Sequence, residues 1–157
     1  MDCAKRSFPW SSGEEPKVKV VAKIAALVLA LGGVWAATAW PRINDVETGR
    51  TPEYPDLRVR EYGASPQKVA EATKQVLGRL PGWSVVGSGG GPGGHSIQAV
   101  HETRTFGFQD DVTVQIRREG TRTRVSVRSK SRSDWWDFGQ NARNIRELLA
   151  ALDGQVS

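Results

Sequence analysis

Cysteine is all but missing from this chain. Among 157 residues only Cys3 carries a thiol, so an internal disulfide and a multi-thiolate zinc site are both excluded. Histidine is nearly as scarce. His95 and His101 stand at even spacing, with Asp110 and Asp111 at the start of the next expected strand, and this set lacks the compact ligand spacing of a metal centre. A hydrolase needs a nucleophile, a base and a group that orients them, or two positioned carboxylates, and no such grouping stands out. Gly89, Gly91 and Gly94 formally satisfy GxGxxG, but the residues that follow read as strand rather than as a helix whose N-terminus would hold a pyrophosphate. The expectation is a chain without catalytic residues, metal or cofactor.

The composition that is present, 38% hydrophobic and 25% charged, is that of one ordinary folded domain with an added segment, not of a disordered chain. The formal charge of +5 invites a nucleic-acid reading. Lys5, Arg6, Lys17, Lys19 and Lys23, however, all precede an apolar run, where they suit membrane topology better, and nucleic acid is not an expected partner.

That run, IAALVLALGGVWAATAW, is uncharged over residues 24–40. Taken as helix over residues 18–40 it would rise roughly 34 Å at about 1.5 Å per residue, against a hydrocarbon core of about 30 Å. Ile24, Leu27, Leu31, Trp35 and Trp40 are the expected anchor residues, the two indoles falling toward the far interface and Pro41 stopping the helix. Ala37 and Ala39 also form an AxA pattern, but the polar tail and the length of the run favour a retained span over a cleaved signal. The basic flank predicts a cytoplasmic N-terminus, hence a single-pass protein of the cell inner membrane with a periplasmic or lumenal C-terminal domain. Membrane lipid is then an expected contact.

The expected organisation is a cytoplasmic tail over residues 1–17, the span over 18–40, a Pro- and Asp-rich linker over 41–56, and an exported domain over 57–157. In that domain Leu57 and Val59 alternate with arginines as a short strand. Ser65 and Pro66 cap a helix whose apolar residues run from Val69 to Leu80. Trp83, Val85 and Val86 begin a strand, GSGGGPGGHS reads as a flexible hairpin loop, and a further strand runs from Ile97 to Arg104. Val112, Val114 and Ile116 alternate, the chain turns at Glu119 and Gly120, and Val125 and Val127 return. Asp137 caps a last helix with Phe138, Ala142, Ile145, Leu149 and Leu152 as its core stripe. The fold class expected is α+β, an antiparallel sheet of about five strands with two helices on one face, preceded by one transmembrane helix.

Two features suggest contact with a partner. On the return strand Arg122, Arg124, Arg128, Lys130 and Arg132 occupy even positions, pointing away from the apolar face, with Arg117 and Arg104 extending the patch from neighbouring strands, as would suit docking to an anionic surface; a solvated sheet face is the plainer alternative. Trp135 and Trp136 stand between Asp134 and Asp137, a poor place to bury two indoles and a good one to anchor a partner. The residues expected to bind a partner are Trp135, Trp136, Arg124, Arg128 and Lys130.

The stretches PEYPDLR, FGFQDDVTVQI, TRVSVRSKSR and DFGQNARNIRELLAAL resemble the uncharacterised family called domain of unknown function 1499, over about residues 52–152. The last two blocks are similar to that family's RSxSR followed by DLGxNAxRIRxFLxxL, matched at Asp137, Gly139, Asn141, Ala142, Ile145 and Arg146, with Phe138 in place of leucine. The departure is at Ser133, Asp134, Trp135 and Trp136, where the family has small residues. The resemblance implies an envelope- or thylakoid-associated α+β domain with no established activity and no catalytic residues to carry over. The function expected is a non-enzymatic accessory or assembly subunit, single-span and membrane-anchored, of an integral membrane protein complex such as a respiratory or photosynthetic one. The alternative is an envelope domain that binds a lipid or small ligand in an apolar pocket between helix and sheet.

Overall fold

The computed structural model describes residues 15–39, 43–104, 107–133 and 137–156. The chain divides into two units, Met1–Trp40 and Pro41–Ser157.

The first unit carries helix α1, Glu15–Ala39. The expected transmembrane span is overturned here, because among the described residues no helix is long and apolar enough to cross a membrane. The physical reason lies in where the charges fall. Lys17, Lys19 and Lys23 lie inside the helix, and its uncharged stretch, residues 24–39, rises only about 24 Å at about 1.5 Å per residue, short of a core of about 30 Å. Ile24, Leu27, Leu31 and Trp35 are exposed along α1, and Trp40 lies outside the described residues. The single-pass placement in the cell inner membrane, with its cytoplasmic tail and periplasmic domain, loses the segment on which it rested.

In the second unit the order is β1 (Asp45–Glu47), β2 (Arg60–Tyr62), α2 (Pro66–Leu77), β3 (Trp83–Gly91), β4 (Gly94–Glu102), β5 (Gln109–Glu119), β6 (Arg122–Ser131) and α3 (Gln140–Val156). Among the described residues the strands form one antiparallel sheet of six, in the order β1-β6-β5-β4-β3, with β2 also paired to β6. This corrects the expected five. The added strand, β1, lies in the stretch read as linker. It is short and holds by Val46, which is fully buried, and by Thr48, whose backbone N–H donates to Val127 O and whose Oγ1 accepts from Val127 N.

The glycine-rich stretch is also sheet rather than loop, pairing Ser88 with Ile97, Gly89 with Ser96 and Gly90 with His95. Glycine is what lets the strands lie this close. A Cβ at Gly90 would come within 2.3 Å of the His95 ring, and one at Gly94 within 2.6 Å of Ile116 O.

Alternation on β5 and β6 sends Val112, Val114, Ile116, Val125 and Val127 to one face. Helix α2, capped by Ser65 Oγ accepting from Lys68 N and opened by Pro66, meets that face with Val69, Val76 and Leu77. Helix α3 adds Ile145, Leu148, Leu149 and Leu152, all essentially inaccessible to water. Side chains of this size contribute about 1.5–3 kcal/mol each when fully buried, so this layer carries most of the domain's stability. The opposite face carries Thr113, Gln115, Arg117, Arg124, Ser126 and Arg128 and is covered by neither helix.

Candidate functional site

Three arrangements rise from this scaffold. One is buried and knits α3 to the sheet. Ser129 Oγ donates to Asn141 Oδ1 at 2.6 Å, Ser131 Oγ donates to Asp110 Oδ1 at 2.5 Å, and Asn144 Nδ2 donates to Asp110 Oδ2 at 2.8 Å. Burial works against the charge on Asp110, but His101, Ser131 and Asn144 around it outweigh burial and hold its carboxyl below the usual carboxylate range. His101 acts from close by without a made hydrogen bond: its Nδ1 has no partner at bonding distance and stands 3.9 Å from Asp110 Oδ2. Asp110 is therefore an acceptor already occupied by structural donors, poorly placed to take a substrate proton. A neighbouring tie has Arg146 donating to both oxygens of Asp56, at 2.8 and 3.1 Å, with its guanidinium 5.5 Å from the Tyr54 ring centre.

The second arrangement opens α3. Asp137 Oδ1 accepts from Gly139 N at 2.8 Å and Oδ2 from Asn141 N at 3.0 Å, which requires a sharp turn into the helix. Both residues of that turn adopt left-handed backbone, Gly139 at φ +74° and Phe138 at φ +47°. Glycine does so freely; a phenylalanine pays for it in strain. The turn also expels the ring. Phe138, expected in the core stripe of the last helix, is instead 60% exposed, because the helix begins only at Gln140. Its carbonyl is held by Arg143 Nη1 at 2.9 Å. Phe108, 50% exposed, lies at the same end of the sheet, where Arg132 N donates to Gln109 O and Asp110 pairs with Ser131. Trp135 and Trp136 belong to the connection between these segments and lie outside the described residues.

The third is a concave basin of about 560 Å³ on the uncovered sheet face. Among the described residues five arginines line it: Arg50, Arg117, Arg118, Arg124 and Arg128. Glu47 and Glu119 are the acidic residues on its wall, and Thr113, Gln115 and Ser126 form its polar floor. Arg128 is bidentate with Asp45, whose carboxyl that hydrogen bond holds below its usual range, and Arg124 meets Glu119 at 3.2 Å. Lys130 is exposed and lies opposite both Asp45 and Asp111 in register. Arg132 is bound to Asp111 and Gln109, so the stripe read from even positions is partly neutralised by acids on neighbouring strands. The two histidines are not gathered. Six residues apart on β4, they are separated by about 20 Å of strand, and among the described residues no group of three or more His, Cys, Asp or Glu could hold a metal.

The profile of the family described as "Protein of unknown function (DUF1499)" matches residues 11–152. The chain belongs to the DUF1499 family. No curated protein matches it. Two solved structures are similar over 71% of this chain and 96% of their own: TTHA0849 from Thermus thermophilus, at 16% identity and a TM-score of 0.36, and Ara h 8.0201, at 11% identity and 0.34. Likeness at that level carries no argument about function. The blocks through which this DUF1499 chain resembles its family meet in the buried arrangement and in the surface tie beside it. Ser129 and Ser131 join Asn141 and Asn144, while Asp56 and Tyr54 receive Arg146, which accounts for those residues as scaffold.

Proposed function

We propose that this DUF1499 domain is a non-enzymatic accessory or assembly protein that docks onto a larger protein complex through the aromatic end of its sheet. The observation that carries the reading is Phe138, an apolar ring held exposed on a left-handed backbone by a well-made helix cap. A backbone conformation costing about 1–3 kcal/mol persists where surrounding structure enforces it, and such strain is characteristic of sites that present a group for use. Phe108 at the same end, and Trp135 and Trp136 by sequence, supply the aromatic character enriched at interfaces. The non-enzymatic part is supported by Asp110 and Asp137, each taken up by structural donors.

The test is co-purification of the tagged full chain from its native cells. Phe138→Ala, Trp135→Ala or Trp136→Ala should each cost a stoichiometric partner about 2 kcal/mol of affinity, roughly thirtyfold, while Glu71→Ala on the exposed side of α2 leaves recovery unchanged. Recovery should also persist at high salt, since an apolar anchor is not screened. Equal recovery by Phe138→Ala and Glu71→Ala would end this reading.

A further inference from the structure

The uncovered sheet face contains a placement that folding alone does not favour. In the β5–β6 ladder Arg117 lies directly opposite Arg124 on the uncovered face, both lining the basin, and like charges on directly opposed residues are destabilising. Neighbouring pairs show the usual remedy, with Asp45 taking Arg128 and Asp111 taking Arg132. Among the described residues Arg117 has no carboxylate partner, and Arg124 has only the exposed Glu119, a pair of little strength. Of the five arginines lining the basin, Arg50 is paired with Glu47, Arg124 with Glu119 and Arg128 with Asp45, which leaves Arg117 and Arg118 without a carboxylate among the described residues.

We propose that the basin is a binding site for a small phosphate-bearing ligand, with its phosphate between Arg117 and Arg124 and its polar body over Gln115, Thr113 and Ser126 toward Arg128. Guanidiniums on two directly opposed residues match a doubly charged tetrahedral oxyanion, which can accept paired hydrogen bonds from both. A single carboxylate would leave one charge unmatched. The volume, about 560 Å³, falls within the range of small-molecule pockets. The floor donates and accepts through an amide and two hydroxyls, so the ligand body is polar and not an acyl chain. Arg124 and Arg128 lie four positions apart on β6, about 13 Å along the strand, which sets the ligand's length. This site stands apart from the aromatic end and does not depend on it.

The experiment is calorimetric titration of the full chain with inorganic pyrophosphate at low salt. Saturable one-to-one binding is expected, weakened about tenfold or more in Arg117→Gln and Arg124→Gln. Phe138→Ala should leave it intact, and so should Arg143→Gln, which removes the same charge from exposed α3. Without ligand, Arg117→Gln should melt no lower than the parent, and slightly higher, because an unrelieved repulsion is gone. No saturable binding, or equal weakening by Arg143→Gln, would overturn the site. A lower ligand-free melting temperature for Arg117→Gln would overturn the argument from opposed charge by making Arg117 a structural residue.

Discussion

Phe138 brings together a local conformation and its use. Asp137 captures the backbone N–H groups of Gly139 and Asn141 where α3 begins, and between them the chain passes through left-handed φ at two successive residues, Phe138 and Gly139. Replacing Phe138 by glycine removes a strain of about 1–3 kcal/mol at an entropic cost of about 0.5–1 kcal/mol. The net expectation is a domain as stable or up to about 2 kcal/mol more stable, measured by urea unfolding, that no longer binds its partner. Phe138→Ala keeps the strain and loses the ring, so its stability should remain near that of the parent. A Phe138→Gly variant that unfolds more readily would mean that the ring packs usefully and that the cap is not under strain.

Among the elements, α3 was the most legible. Ile145, Leu149 and Leu152 recur at helical spacing and are all buried, whereas Arg143 is exposed. Ile145→Ala or Leu149→Ala should cost about 2–5 kcal/mol in chemical denaturation. Arg143→Ala should cost about 1 kcal/mol or less, the value of its bond to Phe138 O. Comparable losses at both kinds of position would mean that α3 packs on a different face. The alternation of Val112, Val114 and Ile116 with Val125 and Val127 was equally plain, because each valine or isoleucine marks a buried face of a half-covered sheet. Other features were hidden for physical reasons. A three-residue strand such as β1 has one buried side chain, Val46, and one residue cannot register as an alternation. Gly87 and Gly89 to Gly91 have no side chains from which to read a face. Phe138 continued the spacing of α3 on paper, but spacing says nothing of the φ at which a cap enters. The apolar content of α1 was visible, and what outweighed it was the lysines inside the helix. Arg124 and Arg128 were visible as a stripe and Arg117 as an extension of it from the neighbouring strand, while Arg50 joined them only through tertiary folding and Arg104 does not line the basin.

At the scale of the whole domain, the sheet separates burial from display. One face is sealed by α2 and α3, and the other presents charge. The seal depends on a carboxylate, since Asp110 on β5 is bonded by Ser131 of β6 and Asn144 of α3 and so joins three elements at one buried point. Its folded-state carboxyl titrates below the usual range, so as pH falls the unfolded chain takes up a proton first, near its ordinary value of about 3.9. The stability that the ionised group contributes is therefore fully present above about pH 4 and drains away as pH drops through the lower folded value. Asp45 and Asp56 are also lowered, by hydrogen bonds from Arg128 and Arg146, and titrate in the same direction, but both lie at the surface where solvent and salt screen them. Ionic strength separates these contributions. In about 0.5 M salt, where the Debye length is only a few Å, the surface pairs fade while the buried carboxylate keeps its partners. Urea melts of the parent between about pH 7 and about pH 3 in that salt should still show a fall in stability below about pH 4. In Asp110→Asn the fall should be largely gone, replaced by a pH-independent loss of about 1–3 kcal/mol from the mismatched amide. An Asp110→Asn variant with the parent's acid slope would assign the titration to another carboxylate and leave Asp110 as a neutral link between the sheet and α3.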